Sequence, residues 1–165
     1  MSLKYFINLL LFSGFLSIFN SCQPTNEKST SLILIRHAEK MIASSNDPQL
    51  STKGWQRANE LVHIFEAVDI DAVYASPYRR TIDTARPLAT AKQLEILQYD
   101  PNKLVSFAQE ILKTHQGETV VIIGHSNTTP QLTNALAGTE YSDLEETEYD
   151  WLYFVEMSPE GTPNV

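Results

Sequence analysis

Two histidines and three arginines stand just after short apolar runs of this sequence. Arg36 and His37 follow LILI, Arg79 and Arg80 follow AVYASPY, and His125 follows TVVIIG. Arginine pairs its N–H groups with phosphate oxygens, and a neutral imidazole is a nucleophile near neutral pH. These residue types suit the transfer of a phosphoryl group, which needs cationic donors around its oxygens and a nucleophile in line with the leaving oxygen.

The position of Arg79 and Arg80 also indicates an anion. A helix is predicted to start at Ser76-Pro77, so that both arginines fall in its first turn, where the helix dipole disfavours cations. A phosphate held jointly by the helix N-terminus and a guanidinium removes this conflict. Taken singly, a histidine such as His37 or His125 is more often a hydrogen-bonded structural residue than a catalyst. The joint pattern is therefore what predicts chemistry.

Short β-branched runs alternate with longer helical stretches from residue 32 onward. Strands are predicted at 32–35, 72–75, 119–124 and 151–157, and helices at 51–68, from 76, at 102–115 and at 129–138. Pro87 is expected to interrupt or restart the second helix. Strands with little polar alternation are typical of a sheet covered on both faces, as in an α/β fold. Ligands of such folds collect at the carboxyl ends of the strands, where the predicted groups stand.

Four motifs resemble those of the histidine phosphatase superfamily, the phosphoglycerate-mutase-like group. They are LIRHAE (34–39), LSTKGWQRANEL (50–61), SPYRRTIDTA (76–85) and GHSN (124–127), and they occur in the family's order. Ala38 and Ser126 stand where the family usually has glycine. The resemblance implies a three-layer α/β/α sandwich around a mostly parallel sheet, and a phosphatase that needs neither a cofactor nor a metal.

The resemblance also implies the roles of individual residues. His37 would be the nucleophile that becomes phosphohistidine, although the residues alone do not distinguish it from His125. The Thr84-Ala85 pair sets the register that selects Arg80 rather than Arg79. The predicted phosphate-binding residues are Arg36, Arg80, His125 and Asn127.

The general acid is the least defined part of the predicted site. In the family it is usually a glutamate after the third strand, and the corresponding stretch here, LEILQYDPNKL (94–104), offers Asp100. The structural alternative for Asp100 is a capping aspartate before Pro101. Glu39, next to the nucleophile, is a second candidate. The acid is therefore Asp100, Glu39 or neither.

The compact chain lacks the extra segments that enclose a sugar phosphate in mutases, and is more similar to the small phosphohistidine phosphatases. This implies hydrolysis of a small phosphomonoester or of a phosphoprotein. One alternative is a membrane-tethered, non-catalytic lipoprotein that binds phosphate or serves as a scaffold. Another is a metal-dependent hydrolase, but His37 and His125 belong to no HxH or HExxH pattern. The acidic stretch 140–150 matches no metal-ligand motif and is predicted to be a solvated loop.

The first 22 residues, MSLKYFINLLLFSGFLSIFNSC, have the pattern of an export signal. The apolar run from Leu9 to Phe19 is too short for a membrane-spanning helix but suits a secretory signal. The only cysteine, Cys22, follows a small residue as in bacterial lipoprotein signals, with Phe19 where an aliphatic residue is usual. We predict a signal peptide at 1–21, a polar tether at 22–31 and a catalytic domain at 32–165. Plain secretory cleavage and a short uncleaved anchor are the alternatives.

Bulk composition limits the partners and the location. A net charge of −8 argues against nucleic-acid binding, and 165 residues suit one domain with its own core. A single cysteine allows no intrachain disulfide. The predicted signal implies export to the bacterial cell envelope and attachment to a membrane, facing the periplasm, through a lipid on Cys22. The oligomeric state is left open.

Overall fold

The computed structural model describes residues 28–42 and 45–165. The strands are β1 (Thr30–Arg36), β2 (Ala72–Ala75), β3 (Ile96–Gln98), β4 (Thr119–Gly124), β5 (Leu152–Met157) and β6 (Pro163–Asn164). The helices are α1 (Thr52–Ile64), α2 (Arg79–Lys92), α3 (Leu104–Thr114) and α4 (Thr128–Ala137). Cys22 and the predicted signal peptide lie outside the described residues. None of the helices in the described ranges is both long and apolar enough to cross a bilayer.

The strands form one mixed sheet in the order β3-β2-β4-β1-β5-β6. The neighbours among β1, β2, β3 and β4 are parallel, whereas β5 is antiparallel to β1 and β6 to β5. The strands that were predicted at 72–75 and 119–124 have those bounds. The α/β class with a mostly parallel sheet is confirmed.

Helices cover both faces of this sheet. On one face, Leu61 of α1 and Leu88 of α2 pack into the core that contains Ile33 of β1. On the other face, Ile111 of α3 and Leu132 of α4 pack with residues of the same strands that point the opposite way. Successive residues of a strand point to opposite faces, so apolar residues at successive positions, as in Leu32–Ile35 of β1, give two cores and the predicted three layers.

Element boundaries differ from the predictions in several places. The first helix ends at Ile64 and not at residue 68, and α3, α4 and β5 differ from the predicted bounds by one or two residues. β1 begins at Thr30, so the last two residues of the predicted tether, 30–31, belong to the sheet, where the Thr30 hydroxyl accepts a hydrogen bond from the Gly117 amide at 2.9 Å. The short strands β3 and β6 were not predicted. β3 has only three residues, two of them exposed, so it carries little of the buried pattern that reveals a strand.

The second helix is the clearest correction. It begins at Arg79 rather than at Ser76-Pro77, because the Ser76 side chain is fully buried and bonds His125 instead of capping the helix. Pro87 neither interrupts nor restarts this helix. Its ring removes one backbone donor, but Leu88 and Ala89 on the same turn are buried against the sheet, and this packing keeps the helix continuous.

The parallel register positions the candidate site. Arg36 at the end of β1 pairs with Gly124 at the end of β4, and the His37 amide donates to the Gly124 carbonyl at 2.9 Å. Ala75 at the end of β2 pairs with Ile123 on the other side of β4. The residues that follow these three strands therefore emerge side by side at one edge of the sheet.

Candidate active site

An open cleft of about 810 Å³ lies at the carboxyl ends of β1, β2 and β4. Six groups of its wall matter here: Arg36, His37, Lys40, Arg80, His125 and Asn127. The structure thus brings together the two histidines and the two arginines that come from three separate strand ends. Asn127 is exposed at the start of α4, and no side-chain hydrogen bond caps that helix.

His37 presents one ring nitrogen to the cleft. Its Nδ1 lies 2.8 Å from the Ala38 carbonyl, which only accepts, so Nδ1 carries the hydrogen and the lone pair is on Nε2. Burial, and then repulsion from His125, Arg80 and Arg36, lowers the His37 pKa to about 3. A neutral imidazole with a fixed tautomer and a free lone pair is an activated nucleophile.

His125 is held in the opposite sense. Arg80 Nη2 lies 3.3 Å from His125 Nδ1, and a guanidinium only donates, so Nδ1 is the accepting nitrogen. Nε2 carries the hydrogen and donates to Ser76 Oγ at 2.8 Å. Burial, followed by the cations of Arg80 and Arg36, lowers the His125 pKa to about 4. The ring centroids of His125 and His37 are 5.4 Å apart.

Arg36 is buried under the segment that precedes β5. Its side chain is 1% exposed, and Nη1 donates to the carbonyls of Glu145 and Glu148 at 2.6 and 2.7 Å. The guanidinium also stacks 4.1 Å above the centre of the Tyr149 ring, and Nη2 lies 3.7 Å from Glu146 Oε2. Nε finds no hydrogen-bond partner in the part of the chain that the structure describes. One edge of a buried cation is thus left for a ligand oxygen.

The acidic stretch 140–150 is therefore part of the site and not merely the solvated loop that was predicted. Its main-chain carbonyls and the Tyr149 ring hold Arg36, and Glu146 bridges Arg36 and Lys40. Across residues 28–42 and 45–165, no three His, Cys, Asp or Glu side chains are grouped to hold a metal ion.

Arg80 faces the cleft from the first turn of α2. Its guanidinium lies 4.6 Å above the Tyr78 ring, and Nη1 is 3.5 Å from Asp47 Oδ1. The same Asp47 oxygen accepts from the Arg79 amide at 2.9 Å, which offsets the helix dipole there. Nε and Nη1 of Arg80 are buried, and neither has a hydrogen-bond partner among the described residues. These free donors point to an anionic ligand.

Thr84 links the nucleophile to this helix. Its hydroxyl accepts from the Ala38 amide at 2.9 Å and donates to the Arg80 carbonyl at 2.7 Å. One buried side chain thereby fixes the residue after His37 relative to the turn that carries Arg80. This contact explains why Thr84 stands at a set distance from Arg80 in the motif.

The histidine phosphatase superfamily model (branch 1) matches residues 32–103. Phosphoserine phosphatase 1 of Hydrogenobacter thermophilus is 25% identical over 164 residues, which cover 67% of this chain and 78% of that protein. Residues 32–103 of the chain are thus similar to the histidine phosphatase superfamily. These relatives are hydrolases of phosphate monoesters, the activity that the motifs predict for this chain.

Two solved structures share the fold of this chain. YhfR of Bacillus stearothermophilus has a TM-score of 0.69 at 22% identity, over 82% of this chain and 95% of that one. The protein histidine phosphatase SixA complexed with tungstate has a TM-score of 0.66 at 18% identity, over 81% and 92%. Both likenesses agree with the three-layer architecture that was predicted.

The structure places both acid candidates away from the reacting groups. Asp100 is exposed, and its Oδ1 accepts from the Asn102 amide at 3.0 Å, which lowers its pKa. This contact closes a turn and does not cap α3, whose N-cap residue is Lys103, so the helix-capping alternative is wrong as well. Its neighbours Pro101 and Asn102 line the cleft, but the Asp100 carboxylate is occupied by Asn102 and Lys103.

Glu39 is turned away from the nucleophile. Arg57 binds both of its oxygens, at 2.8 and 2.9 Å, and Lys53 adds an ion pair at 3.1 Å. The bond from Arg57 is the main reason why the Glu39 pKa is lowered to about 2. A carboxylate that stays ionised holds no proton to give, so Glu39 serves to fix α1 against the end of β1.

Sequence reasoning missed Ser76 and the segment around Glu146 and Tyr149. For Ser76 the available signal was its place directly after a buried strand, as for His37 and His125. For the segment there was no signal, because carbonyl groups that point at Arg36 leave no mark in the side-chain pattern.

Protonation of the two buried imidazoles should destabilise the protein in acid. Their folded pKa values of about 3 and 4 lie below the ordinary 6.5. The unfolded chain therefore binds protons that the folded one does not, and stability that is present above pH 6.5 is lost as the pH falls towards 4. Between pH 7 and 5 we expect each ring to cost about 2 kcal/mol of unfolding free energy.

Urea denaturation of His37→Asn at the two pH values measures this effect. The variant should lose about 2 kcal/mol less than the wild type, because asparagine does not titrate. His63→Asn is the matched control and should behave as the wild type, since that ring is exposed on α1 in the folded protein. An equal loss in His37→Asn and in the wild type would contradict the neutral, buried state of His37.

Proposed function

We propose that the protein hydrolyses phosphomonoesters through a phosphohistidine intermediate on His37. One observation carries this proposal: His37 Nε2 is free while four groups from three strand ends surround one cleft. A covalent intermediate divides one displacement into two easier ones. The proposed phosphate ligands are Arg36, Arg80 and His125, with Asn127 at the exposed rim.

The unpartnered donors of the two arginines suit a phosphoryl group. Arg36 Nε, Arg80 Nε and Arg80 Nη1 are buried without hydrogen-bond partners among the described residues. Leaving charged donors unsatisfied in a dry site is costly. Oxygens of a transferring phosphoryl group would satisfy them, and their charge would stabilise the transition state.

The rest of the cleft favours a polar leaving group. Beyond the phosphate ligands, its wall carries Lys40, Lys103, Ser106 and Gln131. We propose a small phosphorylated metabolite or a phosphoprotein as the substrate. A related protein is named a phosphoserine phosphatase, and a structural neighbour is named a protein histidine phosphatase. Both substrate classes therefore occur among proteins that are similar to this chain. No observation favours a non-catalytic scaffold.

We also propose that the protein is exported to the bacterial cell envelope and anchored there by a lipid on Cys22. β1 runs from Thr30 to Arg36, so the end of the sheet that follows the tether is opposite to the end that carries the cleft. An anchor at Cys22 would leave the cleft open to substrates in the surrounding aqueous phase.

The nucleophile is tested with para-nitrophenyl phosphate in the presence of a metal chelator. His37→Ala should lower turnover by about a thousandfold or more, since the covalent route is lost. Labelled substrate should leave an acid-labile phosphoryl group on the wild type and none on His37→Ala. His63→Ala, on the surface of α1, is the control. Equal turnover by wild type and His37→Ala would refute the assignment.

Glu146 should weaken phosphate binding. The exposed Glu146 carboxylate lies 3.7 Å from Arg36 Nη2. It therefore competes with an incoming phosphate for this guanidinium. Glu146→Gln should tighten the Kd for inorganic phosphate about two- to fivefold at low salt, as expected for a surface charge pair, and the gain should shrink as salt is added.

Glu145→Gln is the matched control for this measurement. Its side chain is exposed and makes no hydrogen bond or ion pair with the rest of the described chain. It should leave the Kd unchanged. If calorimetry gave the same or weaker binding for Glu146→Gln, competition for Arg36 would be excluded.

Lipid anchoring is tested by cell fractionation. The wild type should sediment with the membranes and be extracted by detergent, because a lipidated Cys22 would hold it there. Cys22→Ala should appear in the soluble fraction if it is cleaved, and should carry no labelled fatty acid. Membrane retention of Cys22→Ala with an intact N-terminus would instead indicate an uncleaved anchor.

A further inference from the structure

We infer that His125 is the proton donor for the leaving group and that Ser76 is the positioning residue that makes it so. This inference rests on the proposed phosphohistidine route. It assigns the acid to an imidazole in a site where neither predicted carboxylate reaches the reacting groups.

A chain of buried hydrogen bonds fixes the orientation of the His125 ring. The Thr81 hydroxyl donates to the Ser76 and Tyr78 carbonyls, both at 2.8 Å, so its oxygen is free to accept from Ser76 Oγ at 3.0 Å. With its own hydrogen given to Thr81, Ser76 Oγ is the acceptor for His125 Nε2–H at 2.8 Å. The Thr81 hydrogen is shared between two carbonyls, and Nδ1 of His125 is left as the nitrogen on the side of Arg80.

Ser76 has no other visible task. It is fully buried, it does not cap α2, and its motif position follows a strand as those of the two histidines do. Among the residues that the structure describes, its hydroxyl bonds the side chains of Thr81 and His125 alone. A hydroxyl placed there determines which nitrogen of His125 can exchange a proton in the cleft.

Binding of a phosphoryl dianion changes the balance of charge around His125. In the free site the nearby cations are Arg36 from β1, Lys40 from the following loop and Arg80 from α2, and the nearby carboxylates are Asp47 from the loop before α1 and Glu146 from the segment before β5. Burial and this excess of cations keep the ring neutral. A phosphate bound to Arg36 and Arg80 offsets these cations, draws Arg80 away from Nδ1 and raises the pKa of His125.

The carboxylates near the cleft are already committed to cations. Glu146 faces Arg36 and Lys40, and Asp47 faces Arg80 and the Arg79 amide. Each of them binds a group that the phosphate also needs, so it competes with the substrate instead of reaching its leaving oxygen. Of the two imidazoles in the described wall of the cleft, His37 is the proposed nucleophile, so His125 Nδ1 is the one available for proton transfer.

The two half-reactions balance in protons and electron pairs. A substrate bound as its monoanion transfers its proton to His125 Nδ1. His37 Nε2 then forms the N–P bond, the P–O bond breaks towards the leaving oxygen, and that oxygen takes the proton from Nδ1. In the second half, water attacks phosphorus and gives a proton to Nδ1, while the N–P electron pair returns to His37 Nε2. The phosphate then takes the proton from Nδ1 and departs as its monoanion, which restores the neutral His125.

The tautomer is measured directly by nitrogen NMR of histidine-labelled protein at neutral pH. Free protein should show His125 with a hydrogen on Nε2 and a lone pair on Nδ1, and saturating orthovanadate should protonate Nδ1. In Ser76→Ala the free ring should lose the single tautomer. A lone pair on Nε2 in the wild type, or no change in Ser76→Ala, would overturn the inference.

Leaving-group dependence supplies the kinetic test. His125→Asn and Ser76→Ala should slow an alkyl phosphate about a hundredfold or more, but para-nitrophenyl phosphate at least tenfold less, because a stable phenolate needs no proton. Ser76→Thr retains the hydroxyl and should restore the wild-type ratio of the two rates. An equal loss for both esters in His125→Asn would show a role in phosphate binding alone and refute proton donation.

The two proposals fail in different ways. If the phosphohistidine route is wrong, His37→Ala keeps its turnover and no labelled intermediate forms, whatever the variants of Ser76 do. If only the present inference is wrong, the intermediate forms on His37, but the ratio of alkyl to aryl rates is the same in the wild type, Ser76→Ala and His125→Asn.

Discussion

A buried guanidinium at the end of a central strand is the constraint on which this site depends. Arg36 is almost fully removed from water, and a charge in that position must be given acceptors. Carbonyls of Glu145 and Glu148 and the ring of Tyr149 supply them only because β5 pairs with β1 and brings its preceding segment over the strand end. Since these partners leave Nε free, the fold stabilises the cation and still reserves one edge of it for the substrate.

The same register gives two imidazoles, 5.4 Å apart, opposite tautomers. A main-chain carbonyl of the next residue holds Nδ1 of His37, whereas a side-chain hydroxyl from another strand end holds Nε2 of His125. Two like rings in one cleft thus have different free nitrogens, so one suits attack on phosphorus and the other suits proton transfer. Burial and the nearby arginines lower the pKa of both imidazoles and keep them neutral. Their lone pairs are therefore available at neutral pH, and the folded protein loses stability in acid.

The sequence predicts the elements whose boundaries are set by neighbouring residues in the chain. It fails where a tertiary contact decides the boundary or the role of a residue. β2 and β4 are correct to the residue because apolar side chains that are buried on both faces leave a nearly unbroken apolar run. The start of α2 is wrong because a local capping rule was applied to Ser76, while a tertiary partner, His125, uses that hydroxyl. The acidic stretch was read from its side chains, yet its part in the site comes from carbonyl groups, whose direction only the folded chain determines.

An imidazole and a carboxyl group, used as the general acid, are protonated at different stages of the reaction. A carboxyl donor must hold its proton before the substrate arrives, which requires an apolar pocket and conflicts with the arginines that phosphate binding demands. An imidazole beside those arginines is neutral when the site is empty and gains a proton with the anion that offsets their charge. The conflict disappears because the negative charge of the phosphoryl group, which the arginines bind, also favours protonation of His125. A small chain with an open cleft can combine both tasks without an inserted segment to carry a separate glutamate.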